Sequence, residues 1–145
     1  MNLESLVADV ELTPDESQFV RHLINNFAAE IQDEGLRWHI PYITQHHAIP
    51  LYCGWFETIA LTATGEIVMW NAEGDYDGLR KPDDPHIVMC ARMEGLRRYP
   101  QLKSLRPVRP ATAVTCVPCK GTGRLSLPNG SELFCTCGGV GWLDP

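Results

Sequence analysis

The sequence predicts an α+β fold: a long N-terminal helix packed on a small antiparallel sheet, then a second helix and a C-terminal cysteine-rich hairpin. Three observations predict this arrangement. An apolar pattern with a helical period begins near residue 14, and a stretch rich in aromatic and β-branched residues follows it. Four of the six cysteines then stand close together near the C-terminus. We expect an α+β body over residues 1–110 and the hairpin over residues 111–145.

Composition indicates a globular protein with its own core. The chain has 145 residues, 44% of them hydrophobic and 21% charged, and a chain of this size buries about 70% of the surface it exposes when unfolded. The net charge of −6 predicts no nucleic-acid binding, which needs a basic surface, and favours a basic protein partner. No apolar run approaches the ~20 residues of a membrane span. The first residues, MNLESLVADVEL, do not resemble a signal peptide, so we expect no membrane contact and a cytoplasmic location.

The first long helix is predicted over residues 14–34. Thr13 is suited to the N-cap position, Pro14 to the first turn, and Glu16 completes a capping box with Thr13. Gly35 is the expected C-cap. A shorter helix can precede it, near residues 3–10. The buried stripe of the long helix recurs every four residues, at Phe19, Leu23, Phe27 and Ile31.

The sheet is predicted between residues 52 and 70. Gly65 provides turn chemistry between the runs ETIALTA and EIVMWNA, which predicts a hairpin. Large apolar residues recur at every second position, Ile59 and Leu61 in the first run and Ile67 and Met69 in the second, and we interpret them as the buried face of a small sheet. Trp55 and Trp70 are expected in the core.

A second helix is predicted after a polar loop at residues 73–85. Asp84 is its expected N-cap, Pro85 lies in its first turn, and Pro100 ends it. A connector rich in proline and basic residues leads from there to the cysteines.

The cysteine region contains two similar halves, CVPCKGTG and CTCGGVGW. Asn129-Gly130 lies between them and is a strong hairpin turn signal. Two close thiol pairs on facing turns supply the tetrahedral ligand set that zinc prefers, and four thiolates leave no open coordination position for catalysis. We therefore predict a zinc-ribbon-like hairpin with one structural zinc ion, held by Cys116, Cys119, Cys135 and Cys137.

The spacing of this segment resembles the CxxCxGxG repeat of the zinc-binding region of DnaJ-type chaperones. The resemblance covers residues 116–141 and implies one zinc site of that region; no HPD tripeptide or J-domain accompanies it, so it implies no chaperone activity. The second pair departs from the repeat, because it is spaced Cys-x-Cys and Phe134 stands where the repeat has cysteine. Three cysteines with another ligand, or reduced thiols without metal, remain alternatives. The surrounding sequence disfavours a thioredoxin-like redox pair and a zinc deaminase.

The remaining histidines and cysteines suggest no catalytic set. His46 and His47 are expected in a solvated loop, and His22 on the helix surface. Cys53 and Cys90 are expected to behave as small buried hydrophobes. Neither a nucleophile motif nor a phosphate-binding glycine loop accompanies them, so we expect no enzymatic activity.

The acidic loop offers a candidate partner surface. Asp75-Tyr76-Asp77-Gly78 is similar to the start of a calcium loop but lacks the closing glutamate, and a simple solvated loop is the other alternative. Acidic side chains beside Tyr76 would suit a basic cleft on another protein. The predicted partner-binding residues are Glu73, Asp75, Tyr76, Asp77, Asp83 and Asp84.

The whole chain resembles small bacterial proteins that end in a CxxCxGTGR…CxCGGxGW tail, and compact acidic immunity proteins of secreted toxins. This resemblance implies an immunity or inhibitor protein that occludes the active site of a cognate toxin, for example a nuclease with a basic cleft. The alternative is a zinc-knuckle adaptor or scaffold protein in a larger assembly, with Trp142 and Leu143 exposed for contact. A third alternative is an enzyme whose site is a deep polar pocket.

Overall fold

The computed structural model describes residues 9–54, 57–71, 79–135 and 137–143, and it confirms the α+β class. Three antiparallel strands form the main sheet in the order β1-β2-β3. Their bounds are Ala48–Cys53 for β1, Glu57–Thr62 for β2 and Ile67–Asn71 for β3.

The predicted β2–β3 hairpin is present, and its turn is anchored to the N-terminal segment. Gly65 has a φ of +89°, and a Cβ at this position would lie 2.0 Å from the carbonyl oxygen of Val10. The Val10 N–H donates to the Gly65 carbonyl over 2.7 Å. Only glycine can therefore occupy this turn without moving the chain that crosses it.

The sheet is covered on both faces, whereas strands with one buried face were predicted. Successive residues of a strand point to opposite faces, yet each of the three strands contains four consecutive buried residues. Trp70 is buried as predicted, while Trp55 lies outside the described residues. At the edge strand β1, Pro50 has no N–H to pair, and its carbonyl accepts a hydrogen bond from the Tyr99 hydroxyl over 2.7 Å.

The long helix α1 runs over Pro14–Glu30, four residues shorter than predicted, although its capping box is present. Ile31 has extended backbone angles, and the Asp33 carboxylate accepts the Gly35 N–H, which starts the short helix α2 (Glu34–Arg37). The prediction of Gly35 as a C-cap was wrong, because the N-cap chemistry of Asp33 begins a new helix there. Helix α3 follows over Ile40–His46.

Helix α4 (Pro85–Arg98) joins the body to the C-terminal hairpin. Asp84 caps it as predicted. A Cβ at Gly95 would lie 2.5 Å from Leu51 of β1, so the helix lies very close to the sheet. Different faces of α4 enter two apolar clusters. Val88 and Ala91 belong to the main core, and Met89 and Met93 pack with the hairpin.

The C-terminal segment forms two small antiparallel ribbons. Strands β4 (Val114–Thr115) and β7 (Trp142–Leu143) pair at its base, and β5 (Arg124–Ser126) pairs with β6 (Glu132–Phe134). The turn between β5 and β6 contains Gly130 at a φ of +86°, as the Asn-Gly signal predicted. The boundary at residue 110 stays a prediction.

Candidate metal centre

The two ribbons bring the four C-terminal cysteines together inside the hairpin. Cys116 follows β4 directly and Cys135 follows β6, while Cys119 and Cys137 lie on the turns after them. All four are buried. Their sulfur atoms lie within 4.8 Å of one another, so they can bind one metal ion.

Two separations across the halves fit a tetrahedral ion. The Sγ atoms of Cys116 and Cys135 are 3.6 Å apart, and those of Cys119 and Cys137 are 3.9 Å apart. Four sulfurs placed about 2.3 Å from a zinc ion have edges of about 3.8 Å. The shorter Cys-x-Cys spacing therefore still brings both of its sulfurs into the cluster.

An approximate twofold symmetry of hydrogen bonds explains how the unequal halves reach similar geometry. The Cys116 N–H donates to the Gly141 carbonyl over 2.9 Å, and the Cys135 N–H donates to the Gly123 carbonyl over the same distance. The Cys119 sulfur accepts from the Gly123 N–H over 3.2 Å. In the second half the equivalent bond runs from the Gly141 N–H to the Cys137 sulfur over 3.3 Å. N–H donors at sulfur stabilise the thiolate that a metal requires.

The four thiols differ in how readily they lose a proton. The backbone N–H of Cys137 lowers the pKa of Cys135 to about 7. Burial raises the pKa of Cys116, whose sulfur faces Cys135, to about 12. Two thiols so close resist full ionisation of both, since the second negative charge is repelled by the first. A divalent cation removes that repulsion, so metal binding releases protons and weakens as the pH falls.

The comparisons with known proteins do not add a family to this geometry. The chain matches no protein-family model, no curated protein and no solved structure. No helix in the described ranges has both the length and the hydropathy needed to cross a membrane. The function must therefore be inferred from the site itself.

The predicted partner-binding residues are only partly within the structure. Glu73, Asp75, Tyr76 and Asp77 lie outside the described residues. Asp83 and Asp84 are both exposed. The Asp84 carboxylate accepts the His86 N–H over 3.0 Å, so this side chain already caps α4.

Of the two C-terminal contact residues expected for an adaptor, one was predicted wrongly. Trp142 is 4% exposed and packs with the cysteines, Val140 and Met93, because the hairpin closes against α4. Leu143 is exposed. A contact surface on the hairpin must therefore use other side chains than Trp142.

A contact between a buried histidine and a half-buried cysteine was not predicted from the sequence. His39 is fully buried, and its Nε2 lies 3.3 Å from the Cys53 sulfur. Its Nδ1 accepts a hydrogen bond from the Trp70 indole N–H over 3.4 Å, which places the single proton of the neutral imidazole on Nε2. Nε2 therefore donates toward Cys53 and cannot accept its proton. Burial also raises the pKa of Cys53, so this pair does not form an activated nucleophile.

His46 and His47 are not in a loop as predicted. His46 is the last residue of α3, and its ring stacks on Trp70 with centroids 5.6 Å apart. His47 follows it as the C-cap, in the left-handed conformation with a φ of +52°. The stacking of His46 and the helix-ending position of His47 give each residue a structural role that needs no metal ion.

A cleft between the sheet and the first half of α4 has a volume of about 400 Å³. Cys90 and His86, one helical turn apart, line it with Glu57, and the Cys90 sulfur lies 4.0 Å from His86 Nε2. Burial raises the pKa of Cys90, so its thiol stays protonated near neutral pH. The cleft therefore lacks the activated thiolate of a cysteine enzyme.

The distribution of charge along the chain was also missed. Residues 95–143 contain seven lysines and arginines and one acidic residue, Glu132. This segment therefore carries +6, and because the whole chain carries −6, the remainder carries −12. A net charge for the whole chain conceals this separation, which counting by segment would have revealed.

Proposed function

We propose that the protein is a non-enzymatic binding protein whose C-terminal hairpin is held by a structural zinc ion and docks a protein partner, as a zinc-knuckle adaptor does. The distribution of exposed apolar side chains carries this proposal. Among the described residues, eight large apolar side chains are exposed, and six of them lie between residues 108 and 143. These six are Val108, Val114, Val117, Leu127, Leu133 and Leu143.

The ligand chemistry supports zinc as the bound ion. Four thiolates in a tetrahedron suit Zn²⁺ or an iron centre, and a closed shell of four gives the metal a structural role. Such a metal stabilises the fold around it, since an unfolded segment offers no preformed site. A reducing compartment such as the cytoplasm would keep the thiols available for it.

Val117 and Leu133 are exposed apolar residues that lie within two positions of a cysteine of the cluster. Val117 is 81% exposed on the first cysteine turn, and Leu133 is 52% exposed on β6. The sulfur cluster fixes the turn that carries Val117 and the end of the strand that carries Leu133, so a partner would meet a surface that is already ordered. Preorganised surfaces bind with a smaller entropy cost than flexible ones.

The zinc assignment is tested by metal analysis of protein purified without chelator. We expect one zinc per chain, and loss of the metal in Cys116→Ser and Cys137→Ser, with Cys90→Ser as the control that retains it. Less than about half an equivalent of zinc in the wild-type protein, or a stoichiometric iron content, would overturn the assignment.

The docking surface is tested by substitution of its exposed residues. We expect the double variant Val117→Ser/Leu133→Ser to keep its zinc and its thermal stability but to lose a stoichiometric partner captured from the native cells. Leu79→Ser changes an exposed leucine outside the hairpin and should retain the partner. Equal capture by both variants would contradict a role for the hairpin.

A second candidate function is favoured by the negative charge outside residues 95–143. The −12 carried there would suit an immunity or inhibitor protein that occludes the basic cleft of a bacterial toxin, for example a nuclease. Charge reversal by Asp75→Lys/Asp77→Lys should then slow association with the toxin strongly at low salt. Asp83→Lys should add to the effect, and it leaves the α4 cap at Asp84 in place. Unchanged association rates would exclude this surface.

A further inference from the structure

The end of α4, the connector after it and the hairpin together line a basic groove. Two cavities of about 440 Å³ and 200 Å³ adjoin there, and Arg106 lines both. We define the basic groove by its five cationic residues, which line these cavities together with glycine backbone from the cysteine turns. They are Arg97, Lys103, Arg106, Arg109 and Arg124.

Three of the five cations have no acidic partner among the described residues. Lys103, Arg106 and Arg109 are exposed, and no carboxylate of the described residues lies within 4 Å of them. At the other end of the groove, Arg97 and Arg124 share the carboxylate of Glu94.

The backbone around these cations is held in place. Arg106 ends a 3₁₀ turn over Lys103–Leu105, where its N–H donates to the Lys103 carbonyl. Arg109 donates to the Ala113 carbonyl and to the Thr115 hydroxyl over 3.4 Å each, which holds it against the hairpin. The backbone that carries Lys103 and Arg106 is therefore ordered, and the Arg109 guanidinium is held against the hairpin.

Apolar side chains accompany the cations. Val108 lies between Arg106 and Arg109, lines the same cavity and is 90% exposed. Across the base of the hairpin, Val114 pairs with Leu143, and both are exposed. A ligand that fits this surface needs negative charge and apolar groups in close alternation.

We propose that the basic groove binds an acidic peptide segment of a partner protein in which aspartate or glutamate alternates with small aliphatic residues. This inference rests on the proposed function, because it specifies the chemistry of the partner that the hairpin docks. The carboxylates pair with Lys103, Arg106 and Arg109, and the aliphatic residues cover Val108.

A peptide fits the groove better than a nucleic acid does. Proteins that bind single-stranded nucleic acid stack its bases on exposed aromatic rings. Here Trp142 is buried, and the Phe134 ring lies beneath Arg124, 4.6 Å from its guanidinium carbon. A long polyanion would also meet the charge of −12 carried outside residues 95–143. A short acidic segment can avoid that repulsion, because screening limits it to about 8 Å at physiological salt.

The test uses the zinc-loaded full chain and a fluorescein-labelled peptide of about twelve residues that alternates glutamate with valine. The groove variant is Lys103→Glu/Arg106→Glu. In the described structure the original Lys103 and Arg106 side chains make no hydrogen bond, so their loss should not disturb the fold. The matched control is Arg21→Glu/Arg37→Glu, which changes the net charge equally at exposed sites outside the groove. Lys103→Arg/Arg106→Lys tests rescue by conserved charge.

We expect the groove variant to raise the Kd of the peptide about tenfold or more, and the control to change it by less than about threefold. The conservative variant should bind like the wild type, and replacing glutamate by glutamine in the peptide should abolish binding. Zinc content should be equal in all variants.

Three results would overturn the inference. The first is that the Arg21→Glu/Arg37→Glu control loses as much affinity for the peptide as the groove variant does. The second is that a single-stranded oligonucleotide binds more tightly than the peptide and that its binding is lost in the groove variant. The third is lowered zinc content in the groove variant without a change in peptide affinity, because the cations would then only balance the charge of the thiolates. If Val117 and Leu133 are needed for partner capture but Lys103 and Arg106 are not, the proposed function stands and the groove inference fails.

Discussion

Single residues in the core show how one hydrogen-bond donor fixes the chemistry of its neighbour. The indole N–H of Trp70 donates a hydrogen bond to Nδ1 of His39. A protonated imidazole would place a second N–H group against this donor. Burial, with a smaller contribution from the Arg98 charge, lowers the pKa of His39 to about 4. The histidine therefore stays neutral in the folded protein.

This arrangement predicts a loss of stability in acid. His39 in the unfolded chain has a pKa near 6.5, so between pH 6.5 and about 4 the unfolded state binds more protons than the folded one. The stability that comes from keeping this residue neutral is complete above pH 6.5 and falls as the pH drops through that window, and the loss amounts to about 3 kcal/mol. In His39→Gln, the free energy of unfolding measured by urea titration should depend less on pH in this window.

The matched control is His86→Gln, which changes an exposed histidine. It should leave the acid slope between pH 6.5 and about 4 as in the wild type. An unchanged slope in His39→Gln would show that the buried imidazole does not cause the acid sensitivity.

At the scale of elements, the hairpin depends on glycines where its two cysteine turns meet. Gly123 has a φ of +79°, and a Cβ there would lie 2.0 Å from the Gly139 carbonyl oxygen. Gly141 makes the corresponding close approach to Gly121, at 2.3 Å from its carbonyl oxygen. These contacts join the halves independently of the metal.

Two glycine substitutions separate backbone strain from steric contact. Gly123→Ala adds both, and we expect it to lower the free energy of unfolding by about 3 kcal/mol or more and to weaken zinc binding. Gly130→Ala adds only the strain of a positive φ, because no atom lies within 4 Å of its Cβ position, and should cost about 1 kcal/mol. Thermal unfolding and zinc competition measure both quantities. Equal effects of the two variants would contradict the close approach of the turns.

At the scale of the whole molecule, α4 couples the hairpin to the body. One face of this helix contributes Val88 to the main core, and another contributes Met89 and Met93 to the cluster around the cysteines. The Glu94 carboxylate also pairs with Arg124 of the hairpin over 3.2 Å. The hairpin is therefore packed on the body rather than suspended from it.

This coupling predicts that removing the metal destabilises more than the C-terminal segment. After chelation we expect the melting temperature to fall by roughly 10 °C or more. Hydrogen exchange should increase first in residues 113–143 and then along α4, because Met89 and Met93 lose their packing. Cys90→Ser protein treated in the same way is the control for reaction of a free thiol. Unchanged protection of α4 would mean that the hairpin unfolds as an independent unit.

The sequence by itself determined the features that depend on local chemistry. The capping box at Thr13, the turns at Gly65 and Gly130, the α4 cap at Asp84 and the four clustered thiols all follow from short-range patterns. Each needs only neighbouring residues to form, so the amino-acid order suffices to predict it.

Only the tertiary structure decided the features that join distant segments. The His39–Cys53 contact and the burial of Trp142 bring together residues whose sequence spacing carries no signal. The early end of α1 depends on competition with the Asp33 cap, which helical periodicity does not weigh. The basic groove was visible in the order of charges, yet the folded connector and cysteine turns were needed to place Lys103, Arg106 and Arg109 along one cavity, since the chain path fixes where side chains meet.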